Sequence, residues 1–194
     1  MKLATLFNGT PDGQLVVLSS DGRHCVSAAA IATTLQAALE RWDTAEPALR
    51  ALATQLDAGG CADARPFDPG RAQAPLPRAW QWLDGSAFQS HGDLMDIALK
   101  IEKKNDPSRP LMYQGISNQF LAPTADVPMP RAEDGIDFEG EFGVIVDFVP
   151  MGSTPAQCLE HIRLVVQIND WSLRALAGPE MKTGFGWVQA KPPC

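Results

Sequence analysis

Apolar and polar positions change their period along the chain, and the changes divide it. Residues 3–7, 14–19 and 24–28 are short runs rich in strand formers, separated by Asn8-Gly9 with Asp12-Gly13 and by Asp21-Gly22, which are turn signals. A small antiparallel meander is predicted. Ile31, Leu35, Ala38, Leu39 and Trp42 then recur at helical spacing, and Leu49, Leu52, Ala53 and Leu56 repeat it after a break. Two short helices fit this pattern. The second is expected to begin at Thr44, to carry Pro47 in its first turn and to stop at Gly59-Gly60.

Residues 66–77 are rich in Pro and Gly, as a linker would be, which places a domain boundary near residue 70. The expected organisation is a small N-terminal α+β domain over 1–70 and the beginning of a second domain over 71–194. Beyond the linker, the pattern predicts a strand over 78–84, a short helix over 92–103 and a loop-dominated stretch over 105–130 with three prolines after Tyr113. Residues 136–148 read as a strand. Thr154-Pro155-Ala156-Gln157 supplies an N-cap, a proline at the first helical position and a capping-box partner, for a helix ending near Ile162. Residues 164–168 form a very apolar run, read as a buried strand with Asn169-Asp170 emerging at its end.

Strand alternation places Asp137, Glu139 and Glu141 on one face of the 136–148 segment and Phe138, Gly140 and Phe142 on the other. Neighbouring carboxylates on such a face lie about 7 Å apart and repel by on the order of 2 kcal/mol at an effective dielectric of about 20. A half-buried strand keeps that arrangement only if positive charge sits among the carboxylates. The alternative is an edge strand with a solvated acidic face. Asp170 is open to two readings, a site residue at a strand end or a cap for Trp171-Ser172-Leu173-Arg174. Asp84, beside Gly85, is most simply a turn residue, and His91 follows seven residues later.

Charge and composition narrow the classes. Sixteen basic against 23 acidic residues give a net charge of −7 with no Lys/Arg run, so the footprint of a nucleic-acid binder is missing. No stretch approaches the roughly 18 apolar residues of a membrane span, and the first residues lack the form of a signal peptide. A cytoplasmic protein is expected. Cys25, Cys61, Cys158 and Cys194 form no C-x-x-C pair and are expected to be reduced and structural.

Several segments together resemble the fumarylacetoacetate hydrolase family over the whole chain. Asp84-Gly85-Ser86-Ala87-Phe88-Gln89-Ser90-His91 looks like its motif with a metal-binding Asp and a catalytic His. Asp137-Phe138-Glu139-Gly140-Glu141 is similar to its D-x-E-x-E strand, and Asn169-Asp170-Trp171-Ser172-Leu173-Arg174 to its N-D-x-S-x-R motif. Gly184-Phe185-Gly186-Trp187-Val188-Gln189-Ala190-Lys191-Pro192 looks like the segment carrying its active-site Lys. The resemblance implies an α+β fold, with a small N-terminal β-hairpin and helix domain followed by an incomplete mixed β-roll.

It also implies that Asp84, Glu139, Glu141 and Asp170 bind Mg²⁺ or Ca²⁺, with Mn²⁺ compatible with the same oxygen set. Under this reading His91 is a general base, Lys191 stabilises developing charge, and Tyr113 and Arg174 grip the substrate; packing for Tyr113 and an ion pair for Arg174 are their structural alternatives. The implied reaction is metal-dependent hydrolysis of a carbon–carbon bond in a 1,3-dicarbonyl acid such as an acylpyruvate, with a place in aromatic catabolism and a homodimeric state. Hydratase, isomerase or decarboxylase chemistry on a related oxo-acid is the alternative, and a truncated non-catalytic remnant is a third reading.

Some positions depart from the family. Leu99, with Lys100 adjacent, stands where a basic residue is expected, and Ala177 and Met181 stand where some members place polar substrate contacts. The sequence stops at Pro192-Pro193-Cys194, where the family continues with further strands. Unpaired edges and exposed apolar surface are therefore expected, with self-association and poor catalysis of the isolated chain as consequences.

Overall fold

The computed structural model describes residues 1–100, 108–129, 131–187 and 189–191. The expectations for 101–103, for 105–107, for residue 130 and for Val188, Pro192, Pro193 and Cys194 fall outside those residues, as does the side chain of Leu99.

The N-terminal meander is present as β1 (Lys2–Leu6), β2 (Gln14–Leu18) and β3 (His24–Ser27), all antiparallel, with β4 (Arg65–Pro66) added beyond β3. Two helices pack on this sheet, α1 (Leu35–Leu39) and α2 (Trp42–Asp57). The helical run divides differently from expectation. Thr34 caps α1 by accepting from the Ala37 N–H at 3.1 Å, and Trp42 belongs to α2. Pro47 consequently lies inside α2 beyond its first turn, where its ring costs one helical hydrogen bond. Leu15, Val17, Leu35, Ala38, Trp42 and Leu49 fill the core between sheet and helices. Contacts continue past the expected boundary, since Gln73 N–H donates to the Thr5 carbonyl at 2.8 Å and Thr5 Oγ1 to the Pro75 carbonyl at 2.6 Å.

The expected strand over 78–84 is regular only as β5 (Leu83–Ser86). Earlier residues form a looser ladder, with Ala79 N–H donating to Ser117 and Gly115 N–H to Trp82, while Arg78 forms a bidentate pair with Asp12 at 2.6 and 2.8 Å. The following helix, α3 (Gln89–Leu99), begins three residues before expectation and ends with Lys100 in the left-handed region. The expected loop contains a strand, β6 (Leu111–Gln114), antiparallel to β5. Four residues without alternation carry no strand signal of their own; β5 supplies the partner.

A long antiparallel ribbon completes the described residues: β7 (Ile136–Val146) and β8 (Ile162–Leu173), with α4 (Pro155–Glu160) between them and α5 (Arg174–Thr183) after. The capping box is formed, Thr154 N–H donating to Gln157 at 2.8 Å and Gln157 N–H to Thr154 Oγ1 at 3.3 Å. β8 corrects the expectation that Asp170 emerges at a strand end. The ladder continues through Glu139↔Asp170 and Asp137↔Ser172 to Ile136↔Leu173, so Asp170 sits inside the strand. The apolar run ends at Ile168, whereas backbone pairing extends further.

β8 is also only half buried. The acidic face of the ribbon is the covered one, and Phe138, Phe142, Val144 and Val165 are exposed on the other. At the far end, the register partners Ile145 and Leu164 pack against the N-terminal core. Among the described residues, no helix is long and apolar enough to cross a membrane, and Cys25, Cys61 and Cys158 are free thiols.

An open apolar ribbon face favours association. Phe142→Thr removes a ring that is 87% exposed while keeping strand propensity. It is expected to weaken self-association, read by light scattering over a concentration series, with the melting temperature held within about 2 °C. An unchanged association constant would exclude this face as the contact.

Candidate metal centre and active site

Three strands deliver one carboxylate each to a common point. Asp84 comes from β5, Glu141 from β7 and Asp170 from β8, and their ligand oxygens lie within 4.8 Å of one another. Asp170 is 1% exposed and the other two are half-buried. At that separation and an effective dielectric of about 20, each ionised pair repels by roughly 3 kcal/mol. The repulsion is visible in their acidities. Burial first, and then Asp84 and Asp170, push Glu141 up to about 6. Burial and the neighbouring Asp170 likewise raise Asp84, against the pull of Lys191 and a hydrogen bond with Tyr113.

One ammonium partly offsets the excess. Lys191 Nζ pairs with Asp170 and lies 5.4 Å from the Tyr113 ring centroid and 5.3 Å from that of Trp187. Cation–π contact with two rings favours keeping a lysine charged while it is mostly covered. The segment is held there by fold contacts: Ala190 is fully buried with Leu173 and Ala177, and Leu173 N–H donates to the Ala190 carbonyl at 2.7 Å. Tyr113 faces Asp84 across the β5–β6 pair, so the aromatic wall and the carboxylate share one piece of backbone geometry.

Glu139 stands beside this trio rather than in it. It is opposite Asp170 in the ribbon, but its carboxylate accepts from Arg174 Nη2, and its Oε2 lies 3.9 Å from His91 Nε2, beyond hydrogen-bond reach. Arg174 Nε also donates to Asp137 Oδ2 at 2.9 Å, a bond that lowers the pKa of Asp137. The guanidinium therefore bridges two carboxylates of the same strand face. Its position depends on Gly135, which has φ +77° and where a Cβ would come within 2.8 Å of the Ala175 nitrogen. The close approach lets Arg174 N–H donate to the Gly135 carbonyl at 2.8 Å and starts α5 directly against β7.

Of the sequence-derived candidates, the structure gathers Asp84, Glu141, Asp170, Lys191 and Tyr113 into one cluster and Glu139, Arg174 and His91 into an adjoining one. Three further residues had no role assigned from sequence. Asp137 anchors Arg174, and Trp187 walls the lysine. Ser172 Oγ is completely buried with no hydrogen-bond partner among the described residues. Its two-residue spacing from Asp170 puts it on the acidic face once β8 is known to run that far; Trp187 has no periodic signal that would have found it.

An all-oxygen donor set, with net negative charge and carboxyl pKa values raised by crowding and burial, is chemically suited to a hard divalent cation. An orphaned hydroxyl on the same strand face adds a further oxygen seeking a partner. Beside it lies a cleft of about 550 Å³, bounded by His91, Glu139 and Arg174 and extending between α3 and α5.

Residues 1–78 match the family model for fumarylacetoacetase N-terminal domain 2, and residues 81–193 match that for the fumarylacetoacetate (FAA) hydrolase C-terminal domain. No curated protein matches the chain significantly. The two family models account for nearly the whole sequence, in the order the fold requires, and the second spans every strand of the acidic cluster: the chain belongs to the fumarylacetoacetate hydrolase family.

Proposed function

We propose that the chain hydrolyses a carbon–carbon bond in a 1,3-dicarbonyl acid of the acylpyruvate kind, using a divalent cation, Mg²⁺ or Ca²⁺. The observation that carries this reading is the convergence of Asp84, Glu141 and Asp170 within 4.8 Å, beside His91 and Lys191. Membership of a hydrolase and hydratase-like superfamily, whose enzymes commonly use divalent metals, agrees with it. Those three residues would hold the cation, joined by Glu139, which faces Asp170 across the ribbon and is paired with Arg174. The bound cation supplies Lewis-acid polarisation and a template for the oxo-acid oxygens.

The chain's own residues do the rest. His91 takes a proton from water at its ring nitrogen, with the Glu139 carboxylate 3.9 Å away to favour the imidazolium that forms. The resulting hydroxide adds to the distal carbonyl, the carbon–carbon bond breaks, and the electron pair leaves as an enolate. Lys191 lies where its charge opposes that negative charge, and the surrounding Tyr113 and Trp187 rings limit water. Tyr113 and Arg174 position the substrate's carboxylate and carbonyl oxygens. Release of pyruvate from an acylpyruvate, with no carbon dioxide from oxaloacetate, tests the hydrolytic reading against a decarboxylase.

Cation affinity should fall as pH drops through about 6, because a proton on Glu141 competes with the ion. Calorimetric titration with Mg²⁺ on both sides of that value checks it, and Glu141→Gln should both weaken binding and flatten the profile. The sign for stability is opposite without a cation. A carboxyl raised from 4.5 to about 6 favours the folded state at low pH, and that contribution is lost as pH rises through the interval. Thermal melts of the metal-free chain should show this loss, and added Mg²⁺ should reverse it.

His91→Gln is expected to lower turnover by about 10²- to 10⁴-fold with Mg²⁺ affinity unchanged. Glu139→Gln should weaken Mg²⁺ binding; intact affinity with reduced turnover would restrict Glu139 to orienting His91 and Arg174.

A further inference from the structure

The cleft beside the acidic cluster has two kinds of wall. Toward the cluster it presents His91, Asp137, Glu139 and Arg174. The rest of its lining is apolar, with Leu94, Met95 and Ile97 from α3, Ala177 and Met181 from α5, and Trp187. Leu94 and Ile97 are 66% and 76% exposed, so apolar side chains face open solvent on the wall of a site. Trp187 joins the two regions, because the ring lining the cleft is the one beside Lys191.

Charge decides what the outer part accepts. Among the described lining residues Arg174 is the only permanent cation; it is tied to Asp137 and Glu139, and under the reading above its remaining capacity serves the carboxylate at the substrate's head, not its tail. A substrate substituent ending in carboxylate would lose water, meet no uncommitted positive charge in that lining and lie near two carboxylates. An alkyl or aryl substituent would instead cover Leu94, Ile97 and Met181.

We infer that the site takes an oxo-acid whose variable substituent is uncharged and apolar, seated between α3 and α5, and that it discriminates against substituents ending in carboxylate. This rests on the oxo-acid reading above. The head of the substrate lies at the acidic cluster and its tail runs along the α3 wall, so chain length and terminal charge become the specificity variables. Burial of each added methylene is expected to tighten binding by about two- to fourfold.

The test is calorimetric binding of unreactive α-keto acids to the full chain in saturating Mg²⁺. Pyruvate, α-ketobutyrate, α-ketovalerate and α-ketohexanoate vary the tail, and α-ketoadipate matches the last of these in length with a terminal carboxylate. The expected result is rising affinity along the series and about tenfold weaker binding of α-ketoadipate than of α-ketohexanoate. Leu94→Lys, at an exposed position, and Met181→Lys should each narrow that ratio by placing a cation in the cleft. Binding of pyruvate with no dependence on tail length or terminal charge overturns the inference, leaves the oxo-acid reading standing and assigns the α3 face to another occupant, such as a second copy. An unchanged ratio in both folded Lys variants also overturns it. If none of the acids binds, both the oxo-acid reading and the inference fail.

Discussion

Mutual repulsion among Asp84, Glu141 and Asp170 is the constraint around which the second half of the chain is arranged. Three carboxylates within 4.8 Å, one of them almost wholly buried, do not stay together for their own benefit. The fold supplies what they lack in parts. Lys191 reaches Asp170 from the chain's last described segment, Tyr113 bonds Asp84 from the neighbouring strand, and Arg174 takes up the two carboxylates further along β7. The surplus negative charge that remains is what a divalent cation would relieve, so the mutual repulsion of the three acids and an affinity for such an ion would have a common origin.

Arg174 and Lys191 divide the basic charge of the site in different ways. The guanidinium is planar and forked, and it is locked against two acceptors by its place at the start of α5. The ammonium is a compact charge near two aromatic rings, paired with the Asp170 carboxylate. Under the proposed reaction, the second is the one placed to oppose charge that develops on the substrate. The first fixes the floor on which His91 and Glu139 meet.

The residues of the site were legible in the sequence to a greater extent than their arrangement. Asp137, Glu139 and Glu141 share a face by strand alternation alone, and the capping box at Thr154 was readable from four letters. The extent of β8 was not, because Asn169, Asp170 and Ser172 are polar and the apolar run ends at Ile168; their strand conformation comes from pairing with β7, a long-range fact. β6 was hidden for the same reason, and Trp42 changed helices because a continuous apolar period does not announce a break between two short helices. The inward turn of the acidic face was the least readable feature. Alternation assigns two faces to a strand, but what covers each is decided by other parts of the chain: here β5, α3 and the segment ending at Lys191.

The far end of the ribbon gives the N-terminal unit a mechanical function. Ile145 and Leu164, partners in the ladder, are clamped in the N-terminal core several residue pairs away from Glu141 and Asp170. Side-chain direction in a strand reverses with every residue, so the distance between clamp and carboxylates, counted in residues, has a parity that must be kept. One residue inserted in β7 between the two points would turn Glu141 outward and Phe138 inward, and one inserted in β8 would turn Asp170 outward. The small leading unit is thus a ruler for the site: it holds the ribbon at Ile145 and Leu164, and so bears on which way the acidic side chains point.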